Sequence, residues 1–255
     1  MPGRNKQETS DLLFIYGRQP VWEALRSGIR IQRLILAKGT TGSLLNRVRN
    51  AALRNNVPII EVGKNDLQKF VGAVVHQGVA AEVSASFYLN REEFYRIVQT
   101  KADPLLLILD QIQDPHNLGA IVRTAEIAGV DAIVLPEKGS AAINATVVKT
   151  SAGAVFNMRF FRTPSLTEEM GAISEQGVRI AALVPGSDQT IFHSDLTGSL
   201  ALLVGNEGQG VRKNLLPLCA FKMTIPQFGK VNSLNASVST AVALFEAVRQ
   251  RRFRN

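Results

Sequence analysis

The chain has 255 residues, 45% hydrophobic and 20% charged, with 29 Lys and Arg against 21 Asp and Glu and a formal charge of +8. That balance belongs to a folded globular protein rather than a disordered one, and the length accommodates two domains of about 100–150 residues. The longest strictly aliphatic run, residues 105–109, falls far short of the roughly 20 residues of a membrane helix.

In chain order, a polar N-terminal arm leads to a short helix over 20–26, stopped by Gly28, and a strand over 31–37. Leu44, Leu45, Val48 and Ala52 recur at helical spacing and predict a helix over 43–55 with Ser43 as its cap. A strand over 57–62, a short helix over 66–71 and a strand over 79–83 complete a compact α/β unit ending near residue 85. Residues 86–103 are more polar and read as a linker with one helix. Beyond it, apolar β-branched runs at 105–109, 132–135, 178–184, 200–204 and 223–225 predict strands. Helices are expected at 118–128, 146–155, 166–175 and 236–252. Continuously apolar strands alternating with helices imply a parallel sheet covered on both faces, with its site at the carboxyl ends of the strands.

The charge is uneven. Residues 1–55 hold ten Lys and Arg against three Asp and Glu, a balance of +7, whereas residues 104–255 are nearly neutral for their length at +2. A basic segment attracts polyanions through phosphate contact and counterion release, or is simply a solvated face. Charge alone does not choose between RNA and DNA. Cys219 is the only cysteine, so neither an intrachain disulfide nor a cysteine-based zinc site forms. The polar residues 1–10 contain no signal core. A reducing, cytoplasmic setting is expected.

Three segments carry candidate chemistry. In DQIQDPHNLGAIVRTA (110–125) a buried strand ends, a polar loop follows, and a helix opens near Asn117, which reads as its cap. Arg123 lies six residues on, about 600° around a helix. Set among Ile121, Val122, Ala125 and Ile127, it calls for an anionic partner, either a structural carboxylate or a phosphate. In LALLVGNEGQGV (200–211) a buried strand runs into three glycines, a backbone suited to close ligand approach. The order is neither a Rossmann fingerprint nor a P-loop, which argues against a nicotinamide enzyme. Glu207 between the glycines is an exposed loop acid or a site residue. In the third segment Ile225 and Pro226 precede VNSLNASV (231–238), which places Ser233 and Asn235 at a helix start, as caps or beside N–H groups offered to a ligand carboxylate. His76, His116 and His193 have no metal-ligand spacing, so no metal is expected. His116 alone among them adjoins a candidate site.

Together, DPHNLGAIVRTAEIAG, LLVGNEGQGV and IPQFGKVNSLNASVSTAVALFEAVRQRR resemble motifs 1, 2 and 3 of the SpoU/TrmH (SPOUT) family of RNA ribose 2′-O-methyltransferases. The first half, from FIYGRQPVWEAL to HQGVAAEV, is similar to the small substrate-binding domain, like ribosomal protein L30e, that precedes the catalytic domain in part of that family. The resemblance implies an α/β chain with three parts: a basic RNA-binding domain over 1–85, a linker over 86–103, and a parallel-sheet methyltransferase domain over 104–255 closed by a trefoil knot. It implies S-adenosyl-L-methionine as cofactor and a homodimer through the C-terminal domain. The expected substrate is a guanosine of 23S ribosomal RNA, with tRNA or another rRNA site as the alternative within the family, and not DNA. Gly205, Ile225, Pro226, Leu234 and Asn235 fall on its cofactor positions, and Asn117, Arg123, Glu207, Ser233 and Asn235 on its catalytic positions. Asn206 stands where the family commonly has a small residue. A silent RNA-binding assembly protein of the same fold is the rival, and the retained Asn117, Arg123, Glu207 and Asn235 argue against it.

Overall fold

The computed structural model describes residues 11–206, 208–230 and 233–253. Contacts divide the chain into two units, residues 1–87 with 144–157, and residues 88–143 with 158–255.

The first unit opens with β1 (Asp11–Tyr16), followed by α1 (Arg18–Ser27), β2 (Arg30–Ala37), α2 (Ser43–Arg54), β3 (Ile59–Val62), α3 (Lys64–Val71) and β4 (Val79–Ala85). Its sheet has the order β1-β4-β2-β3. β2 and β3 run parallel, and β4 lies antiparallel to both β1 and β2. The carboxyl ends of β1, β2 and β3 therefore share one edge with the amino end of β4. β1 lies in what reads as a polar arm, although LLFIY alternates into a core that includes Ile15. Gly42, not Ser43, is the residue before α2.

The second unit begins inside the segment expected to be a linker. Tyr88–Leu89 (β5) is an edge strand pairing with Phe160 and Phe161, and α4 (Arg91–Thr100) buries Phe94 and Val98. The Phe94 ring stacks on Phe161 with centroids 4.6 Å apart. Next come β6 (Leu105–Asp110), α5 (Pro115–Ala128) and β7 (Ala132–Pro136). The following α6 (Ala145–Thr150) belongs to the first unit. The expected helix over 146–155 is shorter than predicted because Ala152 and Gly153 adopt positive φ and break it. The chain then returns through β8 (Phe160–Thr163), α7 (Leu166–Glu175), β9 (Arg179–Leu183), β10 (Leu200–Gly205), β11 (Phe221–Met223) and α8 (Ala236–Arg252).

The seven strands are ordered β11-β9-β10-β6-β7-β8-β5, and all their pairings are parallel. Every residue of β6, β7 and β10 is buried, as expected of central strands covered on both faces. From β6 the chain moves outward through β7 and β8, then reappears on the other side at β9 and β10. The order thus reverses between β6 and β10, and ligand sites in open α/β sheets gather outside the strand carboxyl ends at such a switch. Among the described residues no helix is long and apolar enough to cross a membrane, and no His, Cys, Asp or Glu cluster could hold a metal ion.

Candidate active site

A cavity of about 370 Å³ opens at the carboxyl ends of β9, β10 and β11. Its wall includes Gly205, Ile225, Ser233 and Leu234, four of the residues expected from sequence. Pro226 sits between two lining residues, Ile225 and Gln227, without lining the cavity itself. Glu207 lies outside the described residues. Sequence reasoning missed the Leu183–Val184–Pro185 wall at the end of β9. A Pro-Gly pair at the end of a predicted parallel strand was the available signal.

The glycine loop is tied at both ends. A Cβ on Gly205 would lie 2.2 Å from the Gly210 carbonyl carbon and 2.2 Å from the Val211 nitrogen, so the returning chain occupies the space of a side chain. The Gly210 N–H donates to the Asn206 carbonyl at 2.8 Å. Asn206 organises the turn, its Oδ1 accepting from the Gly208 N–H at 2.8 Å and its Nδ2 donating to the Gln111 carbonyl at 3.0 Å. A small residue at this position would leave those groups to water. Gln111 itself has φ +60°, a left-handed backbone uncommon for a non-glycine residue. At the far end, Arg212 donates its backbone N–H (2.9 Å) and Nε (2.8 Å) to the two oxygens of Asp110. Asp110 is fully buried at the end of β6, opposite Gly205 in the β6–β10 register. A carboxylate in that position requires such pairing.

α5 begins earlier than predicted. Asp114 is its cap, accepting from the His116 N–H at 2.9 Å, and Pro115 takes the first helical position. Asn117 is therefore inside the first turn and is not the cap. Asn235 is the cap of α8, and its Oδ1 accepts from the Ser237 and Val238 N–H groups. Its Nδ2 donates to Asn117 Oδ1 at 3.1 Å, which joins the starts of two packed helices. Arg123 is exposed, and no hydrogen bond or ion pair reaches it among the described residues. The expected anionic partner is absent because Arg123 projects from the solvent side of α5. Six residues place it about 120° around the helix from Asn117, so the two do not share a face. The structure thus brings Gly205, Ile225, Ser233 and Leu234 to one cavity and Asn117 to Asn235, and leaves Arg123 apart.

Comparison with known proteins matches the chain in two stretches. Residues 104–245 match the SpoU rRNA Methylase family, and residues 14–89 match a family described as RNA 2′-O ribose methyltransferase substrate binding. Over 238 residues the chain is 39% identical to the 23S rRNA (guanosine-2′-O-)-methyltransferase RlmB of Vibrio cholerae, covering 93% of this chain and 96% of that protein. The RlmB of Escherichia coli K12 is 36% identical over the same length, with 93% and 98% covered. The SpoU methyltransferase AviRb of Streptomyces viridochromogenes, solved in complex with AdoMet, shares the fold with a TM-score of 0.80 at 24% identity, covering 97% of this chain and 94% of that one.

Proposed function

The chain belongs to the SpoU rRNA methylase family, and from that premise we propose that it transfers a methyl group from S-adenosylmethionine to the ribose 2′-OH of a guanosine in 23S ribosomal RNA. The observation that carries this reading is the glycine loop closed against Gly205 beside a cavity at the carboxyl ends of three parallel strands. The residues fit the cofactor, since the cavity is walled by the backbone of Gly205, Gly208 and Gly210 and by the apolar Leu183, Val184, Ile225 and Leu234. Gly205, Ile225 and Leu234 would hold it largely through backbone, with Pro226 and Asn235 beside them. When bound, S-adenosylmethionine supplies an electrophilic methyl on a sulfonium that is already a good leaving group.

The protein's own task is then to orient the ribose and manage one proton. Orientation supplies about 7–11 kcal/mol in favourable cases. The Asn235–Asn117 pair, fixed by the cap it forms on α8, positions the hydroxyl together with Ser233. An arginine keeps its proton at neutral pH and is a poor base. Arg123 is assigned to gripping the phosphate next to the target ribose and stabilising the forming alkoxide, and that phosphate takes the proton. Glu207 is assigned to holding Arg123 and the ribose.

The same proposal includes a homodimer through the catalytic unit. Ile127 on α5 and Val238 and Phe245 on α8 are exposed apolar side chains on two helices that pack together. Val238 and Phe245 are seven residues apart and so share a face, opposite the buried Ala243 and Ala247. Arg123 belongs to the same outward side of α5 as Ile127 and would stand at that seam. The trefoil knot of the family and a cytoplasmic setting are also part of the proposal.

Incubating the protein with S-adenosylmethionine and unmodified 23S rRNA or tRNA, then mapping 2′-O-methyl groups by mass spectrometry, tests it. One methylated guanosine in 23S rRNA is expected. A methyl on tRNA, or elsewhere in rRNA, overturns the substrate. RNA binding with no methyl on any RNA overturns the activity and leaves an assembly protein.

A further inference from the structure

The first unit carries a second concavity, of about 660 Å³, over the edge where the carboxyl ends of β1, β2 and β3 meet the amino end of β4. Among the described residues three cations from separate elements line it, Arg18 at the start of α1, Lys38 after β2 and Lys64 at the start of α3, and no carboxylate does. Arg18 is held in place by backbone: its Nε donates to the Gln77 carbonyl at 3.2 Å and its Nη2 to the Thr41 carbonyl at 3.1 Å. Gly78 packs so closely on Thr40 that a Cβ there would lie 2.4 Å from the threonine methyl, and its φ is +81°. These loops are therefore fixed against one another.

His76 lies in the wall of this concavity and is only 5% exposed. Its Nδ1 accepts the Gly78 N–H at 3.1 Å, so the ring proton is on Nε2, which makes no hydrogen bond among the described residues. Burial, together with the charge of Lys64, holds the imidazole below its usual pKa and so keeps it neutral. Its Nε2–H reaches the surface of the concavity and is available to donate to a ligand there. Beside it the exposed Val75 offers an apolar surface.

We infer that this groove binds a phosphodiester of an unpaired stretch of the substrate RNA. Arg18, Lys38 and Lys64 neutralise the backbone, His76 Nε2–H donates to a phosphate oxygen, and Val75 receives the neighbouring base. Donors set in the wall of a concavity suit a strand turned out of its stack better than the outer surface of a continuous duplex. Specific RNA recognition generally uses such splayed segments. The inference rests on the chain being an RNA methyltransferase and gives its substrate-binding unit a defined contact.

The test measures binding of full-length protein to unmodified 23S transcript by fluorescence anisotropy between 50 and 200 mM salt. The double variant Lys38→Ala/Lys64→Ala alters only exposed side chains. It is expected to bind on the order of tenfold more weakly and to lower the salt slope by about 1.4, the value for two single-strand phosphate contacts. S-adenosylmethionine binding by calorimetry should not change. His76→Asn keeps an acceptor for the Gly78 N–H but removes the Nε2 donor, and should weaken RNA binding with little change in melting temperature. Wild-type affinity and slope in the double variant on both 23S transcript and tRNA overturn the inference. Inorganic phosphate is the second arm, and tight phosphate binding that RNA does not displace overturns RNA as the occupant. The same variants are measured on unmodified tRNA. Weakening confined to tRNA supports the groove and overturns 23S rRNA as the substrate.

Discussion

Asn235 and Asn117 are joined side chain to side chain, Nδ2 to Oδ1 at 3.1 Å, while the Oδ1 of Asn235 holds the first turn of α8. One amide thus does two jobs that substitution can separate. In Asn235→Asp a carboxylate oxygen still accepts from the Ser237 N–H and suits a helix start, but it cannot donate to Asn117, whose amide has to turn over to keep the contact. Stability is expected to stay within about 0.5 kcal/mol of the parent, whereas Asn235→Ala costs about 1 kcal/mol. Both should lower kcat by about 100-fold through lost orientation. A parental rate in Asn235→Ala would remove the pair from the reaction.

Gly205→Ala introduces a carbon 2.2 Å from two backbone atoms of the returning loop. The loop has to move, at a cost of about 1–3 kcal/mol or more, and S-adenosylmethionine affinity should fall with it. Gly208→Ala is the control, because the nearest atom to its new carbon is Asn206 Oδ1 at 3.4 Å. Calorimetry on the two variants checks the contrast. Equal affinities would mean that the closed loop does not shape the site.

Much of this architecture is legible in sequence wherever one signal dominates. The uninterrupted apolar runs of β6 and β10 mark central parallel strands, and α7 has the expected bounds of residues 166 and 175. Local rules fail where a stronger one stands nearby. Asn117 looks like a cap, but Asp114 followed by Pro115 is the better start signal, since proline is preorganised for the first helical position. Residues 86–103 look like a linker because β5 is only two residues long. Even so, Asn90 and Glu93 form a capping box that announces α4. The ties from Asn206 to Gln111 and from Arg212 to Asp110 span 95 and 102 residues. No local pattern encodes them. They come from the pairing of β10 with β6.

Asp110 sits fully buried beneath Arg212, whose side chain is 38% exposed. Arg212→Met leaves the carboxylate with the backbone N–H alone. The expected loss is about 2–3 kcal/mol, below the ~3–5 kcal/mol of a fully buried broken pair because water already reaches the guanidinium. Arg212→Met combined with Asp110→Asn should recover part of it. Denaturant unfolding of the two single variants and the double variant measures the coupling, and strict additivity would deny it.

Burial pushes the Cys219 thiol up to about 11. The reactive species is the thiolate, so alkylation of the native protein at pH 8 should be far slower than that of a free thiol. Its rate should rise about tenfold per pH unit up to pH 10. Timed iodoacetamide labelling read by mass spectrometry checks this, and a plateau near pH 8.5 would contradict it.

Phe245→Glu places a charge in the middle of the exposed apolar face of α8, away from the cavity. If two copies meet there, sedimentation should shift from dimer to monomer. Monomers should keep cofactor affinity while losing methyl transfer, given that Arg123 stands on the same side as Ile127. An unchanged dimer would move the interface elsewhere.

Because residues 144–157 belong to the first unit while their flanks belong to the second, the polypeptide passes between the units three times. A protease nick near residue 87 therefore leaves two covalent bridges intact, and releasing either unit takes cuts at all three passages. A gene fragment ending at residue 85 would omit α6 from the unit it was meant to encode, and a fragment starting at 104 would omit β5 and α4 from the other. A recombination event that exchanged the substrate-binding part at a single junction would carry over an incomplete one.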